Sequence, residues 1–383
     1  MQPPDPANLI TAVAARGKRL VVVATGGGTR AISGLVATPG ASAVVLEALV
    51  PYARESVDRL LGGRQESYCS ARTARRLAIT AWQRAKDYGT PPPSAVGAAV
   101  VASLKTVAPK RGPHRIIVAV QTHGETRLAT LELEKDARSR DGEEDLAAAL
   151  LLDEIDGAAR HDAASCVPAG LRPGERLHRE RTIAAPEWRE ILDGTRNGVG
   201  IRTATLDPVP GLLLFPGSFD PLHDGHRTMT RIAEEIAERP VEFELSVTNV
   251  DKPPLDYLEI ETRISQFADR PLWLTRAPTF LEKTALFPRS TFVLGADTFV
   301  RLADPRYYGG SADAASAAAR TIAEGVRGLI VFGRERDGVF EEPAALGVPQ
   351  SLRDVSYFVS QREFRVDISS TELRKARLSC ESS

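Results

Sequence analysis

Two histidines three residues apart, His223 and His226, stand in the segment Phe215-Pro216-Gly217-Ser218-Phe219-Asp220-Pro221-Leu222-His223-Asp224-Gly225-His226. In the first turn of a helix, residues at this spacing project to the same side, so both imidazoles can reach one anion. Two N–H donors so placed suit the non-bridging oxygens of an α-phosphate, and Gly225 between them leaves room for a nucleotide. Gly217 allows the backbone to approach a phosphate closely, and the first amides of the following helix offer an anion site of their own. Histidine pairs at this spacing also arise by chance on surfaces. The weight comes from the setting, directly after the apolar run Gly211-Leu212-Leu213-Leu214-Phe215. That is the strand-to-helix crevice where open α/β sheets bind ligands.

A second group of the same character lies near the end of the chain, Ile368-Ser369-Ser370-Thr371-Glu372-Leu373-Arg374. Ser369 or Ser370 can cap a helix, and the exposed amides of the first turn, around Thr371, can grip β- and γ-phosphates. Arg374, one turn further, supplies a fixed cationic fork for the same oxygens. Alone, this segment reads as the capping box of a surface helix. Following the histidine segment in the same half, it reads as the second wall of a triphosphate site.

The elements that must position these groups follow from periodicity. In the second half, strands are expected at 211–215, 242–247, 291–294 and 329–332, with a helix over 225–239 that carries Met229, Ile232, Ala233 and Ile236 on one face. In the first half, Leu20 to Ala24, Val44 to Val50 and Ile116 to Val120 are apolar runs. Ser70 to Lys86 is spaced as an amphipathic helix, and a further helical segment spans 145–159. Strands that are continuously apolar and separated by helices imply mainly parallel sheets covered on both faces. The fold class expected is therefore α/β, with two such domains, the second doubly wound and Rossmann-like. The boundaries expected are 1–163 for the first domain, 164–210 for a Pro-, Gly- and charge-rich linker with one short helix near 187–193, and 211–383 for the second.

Composition narrows the function. A formal net charge of -1 gives no electrostatic case for bulk nucleic-acid or membrane-surface binding, so neither is expected as a partner. The three cysteines, Cys69, Cys166 and Cys380, lie far apart with no CxxC pair, which excludes a cysteine zinc ribbon and gives no disulfide framework. No basic-then-apolar leader is read at the start, and no long apolar run occurs, so the expected location is the cytoplasm.

The histidine segment resembles the (H/T)xGH signature of the nucleotidyltransferase superfamily, and Ile368–Arg374 resembles its ISSTxxR signature. This superfamily includes nicotinate-mononucleotide, pantetheine-phosphate and glycerol-phosphate nucleotidyltransferases. The resemblance implies a nucleotide site formed by Pro216, Gly217, Ser218, Phe219, Asp220, Gly225, Ser369, Ser370 and Thr371, with His223, His226 and Arg374 acting on the phosphates. Lys252, in Asn249-Val250-Asp251-Lys252-Pro253, resembles the family lysine that faces the phosphates. Gly295-Ala296-Asp297-Thr298 resembles the ligand-lining G-A-D segment of mononucleotide adenylyltransferases, which adds Gly295 and Asp297. Arg263 reads equally well as a solvated helix residue.

The mechanism implied is in-line attack by an acceptor phosphate oxygen on the α-phosphorus of a nucleoside triphosphate, with pyrophosphate released and no enzyme nucleophile. Mg2+ accompanies the triphosphate through few protein ligands. The partners implied are ATP or CTP and a phosphorylated small-molecule acceptor. AMP transfer to nicotinate mononucleotide leads, with a cytidylyltransferase, a phosphopantetheine adenylyltransferase and a non-catalytic nucleotide sensor as alternatives.

In the first half, Thr25-Gly26-Gly27-Gly28-Thr29, Thr38-Pro39-Gly40-Ala41-Ser42 and Tyr52 resemble the C-terminal domain of the competence-damage-inducible protein family, which includes nicotinamide-mononucleotide deamidases. The resemblance implies a ligand site at Thr25, Gly26, Gly27, Ser42 and Tyr52. The departures are specific. Ala24 stands where the deamidases carry a serine, and Val57 where they carry a lysine. A tyrosine hydroxyl without its activating amine is not a working nucleophile, so amide hydrolysis is not expected here. A glycine-rich turn after a buried strand is a phosphate cradle in its own right. Ser103 to Thr106 and Pro109 to Gly112 form a local basic loop that could hold phosphate. This half could equally regulate the other or carry a homo-oligomer contact.

Overall fold

The computed structural model describes residues 5–108, 110–160, 170–336, 339–341 and 347–360. The chain divides into two compact units, Met1–Arg189 with Asp251–Glu259, and Glu190–Val250 with Ile260–Ser383. Among the described residues, no helix is long and apolar enough to cross a membrane.

The first unit is built on six strands: β1 (Arg19–Thr25), β2 (Val45–Leu49), β3 (Ala95–Ser103), β4 (His114–Thr122), β5 (Glu125–Leu133) and β6 (Arg176–Ile183). Their order across the sheet is β2-β1-β3-β4-β5-β6. β1 runs parallel to β2 and β3, whereas β3 to β6 pair antiparallel. The class is α/β as expected, but this sheet is mixed rather than mainly parallel. The connection decides it: only His123-Gly124 joins β4 to β5, far too short for a crossover helix.

Helices cover both faces. Leu20, Val22, Ala24, Ala98 and Val100 share one apolar cluster with Leu146, Leu150 and Ile155 of helix Arg140–Arg160. The other face carries helix Ala71–Asp87, held so close that a Cβ on Gly97 would strike the Ala78 carbonyl and the Trp82 amide. Burial on both sides is what the continuous apolar run of β1 requires.

The stretch 164–210 is not simply a linker. It supplies β6 to the first sheet, then helix Pro186–Asp193, then β7 (Gly198–Ile201) to the second sheet. Charge on β6 is matched by its neighbours. Arg179 pairs with Asp153 at 2.8 Å and Glu154 at 2.6 Å, and Arg181 pairs with the buried Glu125.

The second unit's sheet adds β8 (Leu213–Pro216), β9 (Glu242–Ser246), β10 (Leu272–Thr275), β11 (Thr291–Gly295) and β12 (Gly328–Phe332). A separate hairpin, β13 (Arg334–Arg336) and β14 (Val339–Glu341), precedes the last strand of that sheet, β15 (Ser356–Val359). The order is β15-β12-β11-β8-β9-β10-β7, all parallel except the edge strand β7. From β8 the chain proceeds outward through β9 and β10, then returns to β11 on the other side of β8. The winding direction therefore reverses between β8 and β11, which makes their carboxyl ends the crevice of a doubly wound sheet. Leu214, Trp273, Phe287, Phe292, Phe299 and Leu329 fill the core on one face. Each such fully buried side chain contributes about 1.5–3 kcal/mol by leaving water.

Candidate nucleotide site

The histidine segment occupies that crevice. β8 ends at Pro216, and helix Asp224–Ala237 begins with His223 as its N-cap and His226 in its first turn. The helix forms here because Thr230, Ile232 and Ala233 bury one face while Arg227, Arg231 and Glu235 stay toward solvent. Its start places the two rings side by side, with centroids 3.8 Å apart and planes tilted by 31°.

The backbone N–H of His223 donates to Nδ1 of His226 at 3.3 Å. An imidazole that accepts at Nδ1 carries its proton on Nε2, so this contact fixes His226 as a neutral Nε2–H donor. Electrostatics agree with the geometry. Burial and the neighbouring His223 ring push the His226 pKa down to about 3. Burial also lowers His223, with Asp224 opposing. His226 is thus held neutral, as a hydrogen-bond donor at Nε2 rather than a cation, and His223 is shifted in the same direction.

The loop between β8 and the helix is packed on aromatic rings. Phe219 is 1 % exposed although its neighbours Ser218 and Asp220 are not buried. Its ring meets Phe215 at 5.5 Å, Phe243 at 5.3 Å, Phe267 at 5.1 Å and His226 at 5.1 Å, each edge to face. Phe219 has φ of 44°, and the Asp220-Pro221 peptide is cis. Gly217 donates its N–H to the Glu244 carbonyl at 3.0 Å, and a Cβ there would lie 2.6 Å from the Phe219 ring. The sequence assigned Gly217 to phosphate approach. Its first duty is to admit that ring.

Two residues hold this loop: Arg263, which the sequence left ambiguous, and Gln266, which it did not single out. Arg263, 7 % exposed, donates to the Ser218 carbonyl and lies 3.5 Å from the Asp220 carboxylate. It is not a solvated helix residue. Gln266 accepts from Leu222 N–H at 2.7 Å and donates to the Phe219 carbonyl at 3.0 Å. The only available signal was their shared spacing at the end of a helix.

Other expected residues fall as follows. Gly295 caps helix Ala296–Arg301, with Asp297 in its first turn at the carboxyl end of β11, next to β8. Gly225 is buried in the first turn of its helix, and Pro216, Ser218 and Asp220 line the loop. Lys252 belongs to Asp251–Glu259, the segment grouped with the first unit rather than with the histidines. Ser369, Ser370, Thr371 and Arg374 lie outside the described residues. Cys166 and Cys380 do as well, and Cys69 is a free thiol whose pKa burial pushes up.

In the first unit the glycine-rich turn is already occupied. The Glu144 carboxylate, from helix Arg140–Arg160, accepts from Gly28 N–H at 2.9 Å, Thr29 Oγ1 at 2.9 Å and Arg30 N–H at 3.2 Å. Burial alone would raise its pKa, but these donors hold it below the usual carboxylate range. The glycines answer to packing: a Cβ on Gly26 would strike the Ala102 carbonyl, and one on Gly28 would lie 2.6 Å from Val100. The turn is therefore no open phosphate cradle.

A cavity of about 610 Å³ lies beside it instead, lined by Thr25, Gly26 and Tyr52 together with Arg54, Arg64, Lys110 and Arg140, and by Glu66 as its carboxylate. Gly27 and Ser42 are not in its wall. Burial, and after it the proximity of Arg140, push the Lys110 ammonium down. Ala24 and Val57, at the places where the resembled family has serine and lysine, are buried apolar side chains.

Residues 214–376 match the family model described as cytidylyltransferase-like, a range that encloses both sequence signatures. Among curated proteins, none matches this chain. Solved structures similar to its N-terminal part include a competence-damaged protein (CinA) superfamily member from Escherichia coli, 19% identical over 40% of this chain and 92% of that one, with a TM-score of 0.34. The competence/damage inducible protein CihA from Agrobacterium tumefaciens is 20% identical over 42% and 98%, TM-score 0.34. The competence damage-inducible protein A of Klebsiella pneumoniae is 17% identical over 41% and 99%, TM-score 0.34. The C-terminal half of the chain carries a cytidylyltransferase-like domain of the HxGH nucleotidyltransferase superfamily.

Proposed function

We propose that the second unit transfers a nucleoside monophosphate from a triphosphate to a phosphorylated small molecule, with AMP from ATP and nicotinate mononucleotide as the first pair to test. The observation that carries the reading is the pair of neutral imidazoles, 3.8 Å apart, at a helix start beside the winding reversal of the sheet. An acceptor phosphate oxygen attacks the α-phosphorus, the bond to the β-phosphate oxygen breaks, and pyrophosphate leaves. His226 Nε2–H and the adjacent His223 ring donate to the α-phosphate oxygens as charge builds there. By resemblance, Ser369, Ser370, Thr371 and Arg374 hold the β- and γ-phosphates, and Gly295 and Asp297 face the ligand from β11. Lys252 is a further phosphate contact by the same resemblance. The triphosphate enters as its magnesium complex, so the metal is counted with the substrate.

The test is pyrophosphate release by the full chain with Mg2+, using four triphosphates against nicotinate mononucleotide, nicotinamide mononucleotide, phosphopantetheine and glycerol phosphate. Release with ATP and nicotinate mononucleotide supports the reading. Turnover confined to CTP makes the domain a cytidylyltransferase, and turnover confined to phosphopantetheine makes it that adenylyltransferase. Ligand-induced thermal stabilisation with no pyrophosphate from any pair makes it a sensor.

A second reading concerns the first unit: its cavity binds an anionic ligand without hydrolysing it. Four cations against one carboxylate in the lining support this. Calorimetry with a mononucleotide should show binding that falls about tenfold or more in Arg140→Ala, in line with the loss of a charge-assisted hydrogen bond. Ammonia release from nicotinamide mononucleotide, abolished by Tyr52→Phe, would overturn the non-hydrolytic part.

A further inference from the structure

The loop from Gly217 to Leu222 must do two things at once: close over the sheet end and deliver two rings in register. Its own Phe219 is buried on aromatic rings and its Gly217 bonds to Glu244, yet Phe219 sits in the left-handed region that suits glycine. Further polar contacts come from outside the loop. Arg263 and Gln266, three residues apart, take the carbonyls of Ser218 and Phe219, the N–H of Leu222 and the carboxylate of Asp220. Gln266 uses both ends of its amide on the loop, one as donor and one as acceptor. Leu222 is the residue next to His223, so the bond from Gln266 ends one peptide away from the N–H that fixes the His226 tautomer.

We infer that Arg263 and Gln266 are positioning residues for nucleotidyl transfer, setting the His223–His226 geometry through the loop backbone. The inference rests on the proposed reaction for its kinetic consequence but not for its structural one. Arg263 is too buried to meet a triphosphate itself, and its guanidinium is spent on Ser218 and Asp220. Gln266 reaches the loop through main-chain atoms, the Leu222 N–H and the Phe219 carbonyl. The two residues therefore act on the site without belonging to it.

The experiment uses the full chain labelled with 15N-histidine, in wild type, Gln266→Leu, Gln266→Glu and Arg263→Lys. Long-range imidazole 15N–1H spectra report the tautomer of His226, and pyrophosphate release reports turnover. Expected for wild type is a His226 signal of the Nε2–H form. In Gln266→Leu that signal should broaden or shift toward a tautomer mixture, and kcat should fall about 10- to 100-fold while KM for the triphosphate moves less than threefold. Gln266→Glu keeps the acceptor for Leu222 N–H and loses the donor to Phe219, so it should fall between wild type and Leu. Arg263→Lys keeps the charge near Asp220 and should retain the fold if Gln266→Leu does not. Unchanged His226 signals in both Gln266→Leu and Arg263→Lys would overturn the inference. Absence of turnover in wild type, with the signals shifting as expected in the variants, would overturn the reaction and leave the positioning role standing.

Discussion

Each half of this chain contains a strand that ends in a glycine-bearing turn and feeds a helix. In the first, Thr25-Gly26-Gly27-Gly28-Thr29, the amides at the helix start point to Glu144, so the protein supplies its own anion. In the second, Gly217 to His226, the turn's own histidines cap the helix start, and His226 accepts the His223 N–H at Nδ1, which leaves its proton on Nε2. A glycine-rich strand-to-helix turn is therefore not in itself a phosphate site. What decides is the sign of the group that reaches it from the rest of the fold. A carboxylate answers the helix-start amides of the first turn, whereas uncharged imidazoles cap the second.

Removing the donors should produce the largest effect. His226→Ala should lower turnover on the order of 10²-fold or more, as loss of one oxyanion donor does. Pyrophosphate release under saturating triphosphate measures it, and a loss below fivefold would break the contrast between the turns. Next comes the packing beneath the second turn. Gly217→Ala places a methyl 2.6 Å from the Phe219 ring, and such overpacking costs about 1–3 kcal/mol of stability. Denaturant unfolding should show it, together with reduced turnover.

The converse test empties the first turn. Glu144→Ala should cost about 1–3 kcal/mol through the donors it leaves unmet. Inorganic phosphate should then raise the melting temperature of the variant while leaving wild type unchanged. Nucleotidyl transfer should not move. If phosphate stabilises wild type equally, the carboxylate is not what closes that turn.

The smallest effect concerns pH. Because burial and His223 hold His226 near a pKa of about 3, its donor role should persist as pH falls from 8 to 5, with no acid limb near 6.5 in kcat/KM. Stability, unlike turnover, does depend on pH. The folded pKa lies below the unfolded value, so the unfolded chain takes up the proton first. The contribution is complete above about pH 6.5 and declines as pH falls toward the folded value. Melting temperature against pH checks it.

How much of this was legible in the sequence depended on whether a residue's partner was nearby. β1, β4, β8, β9, β11 and helix Asp224–Ala237 announced themselves through apolar runs or a one-sided stripe, and the histidine pair stood in a local motif. β3 did not. Its Ala- and Gly-rich run has little strand propensity, and the reason for Gly97 is a helix some fifteen residues upstream pressed against it. β6 looked like a charged linker because Arg179 and Arg181 find their carboxylates on Asp153, Glu154 and Glu125, far away in sequence. Arg263 was ambiguous for the same reason. Glu144 stood just ahead of the helical segment expected over 145–159, with no hint that its carboxylate would fill the turn at Gly28.

Glu143 and Glu144 are consecutive on one helix yet serve different loops. Glu143 takes His114 Nδ1 at 2.7 Å and Lys105 N–H at 2.5 Å, while Glu144 takes Gly28 and Arg30, and Arg30 also returns to Asp141 and Asp145. The first two turns of that helix thus work as a clasp over two stretches that leave the neighbouring strands β1 and β3. Loosening it cannot release one without the other, so the amide protons of Gly28, Arg30 and Lys105 should exchange with solvent in a single shared opening.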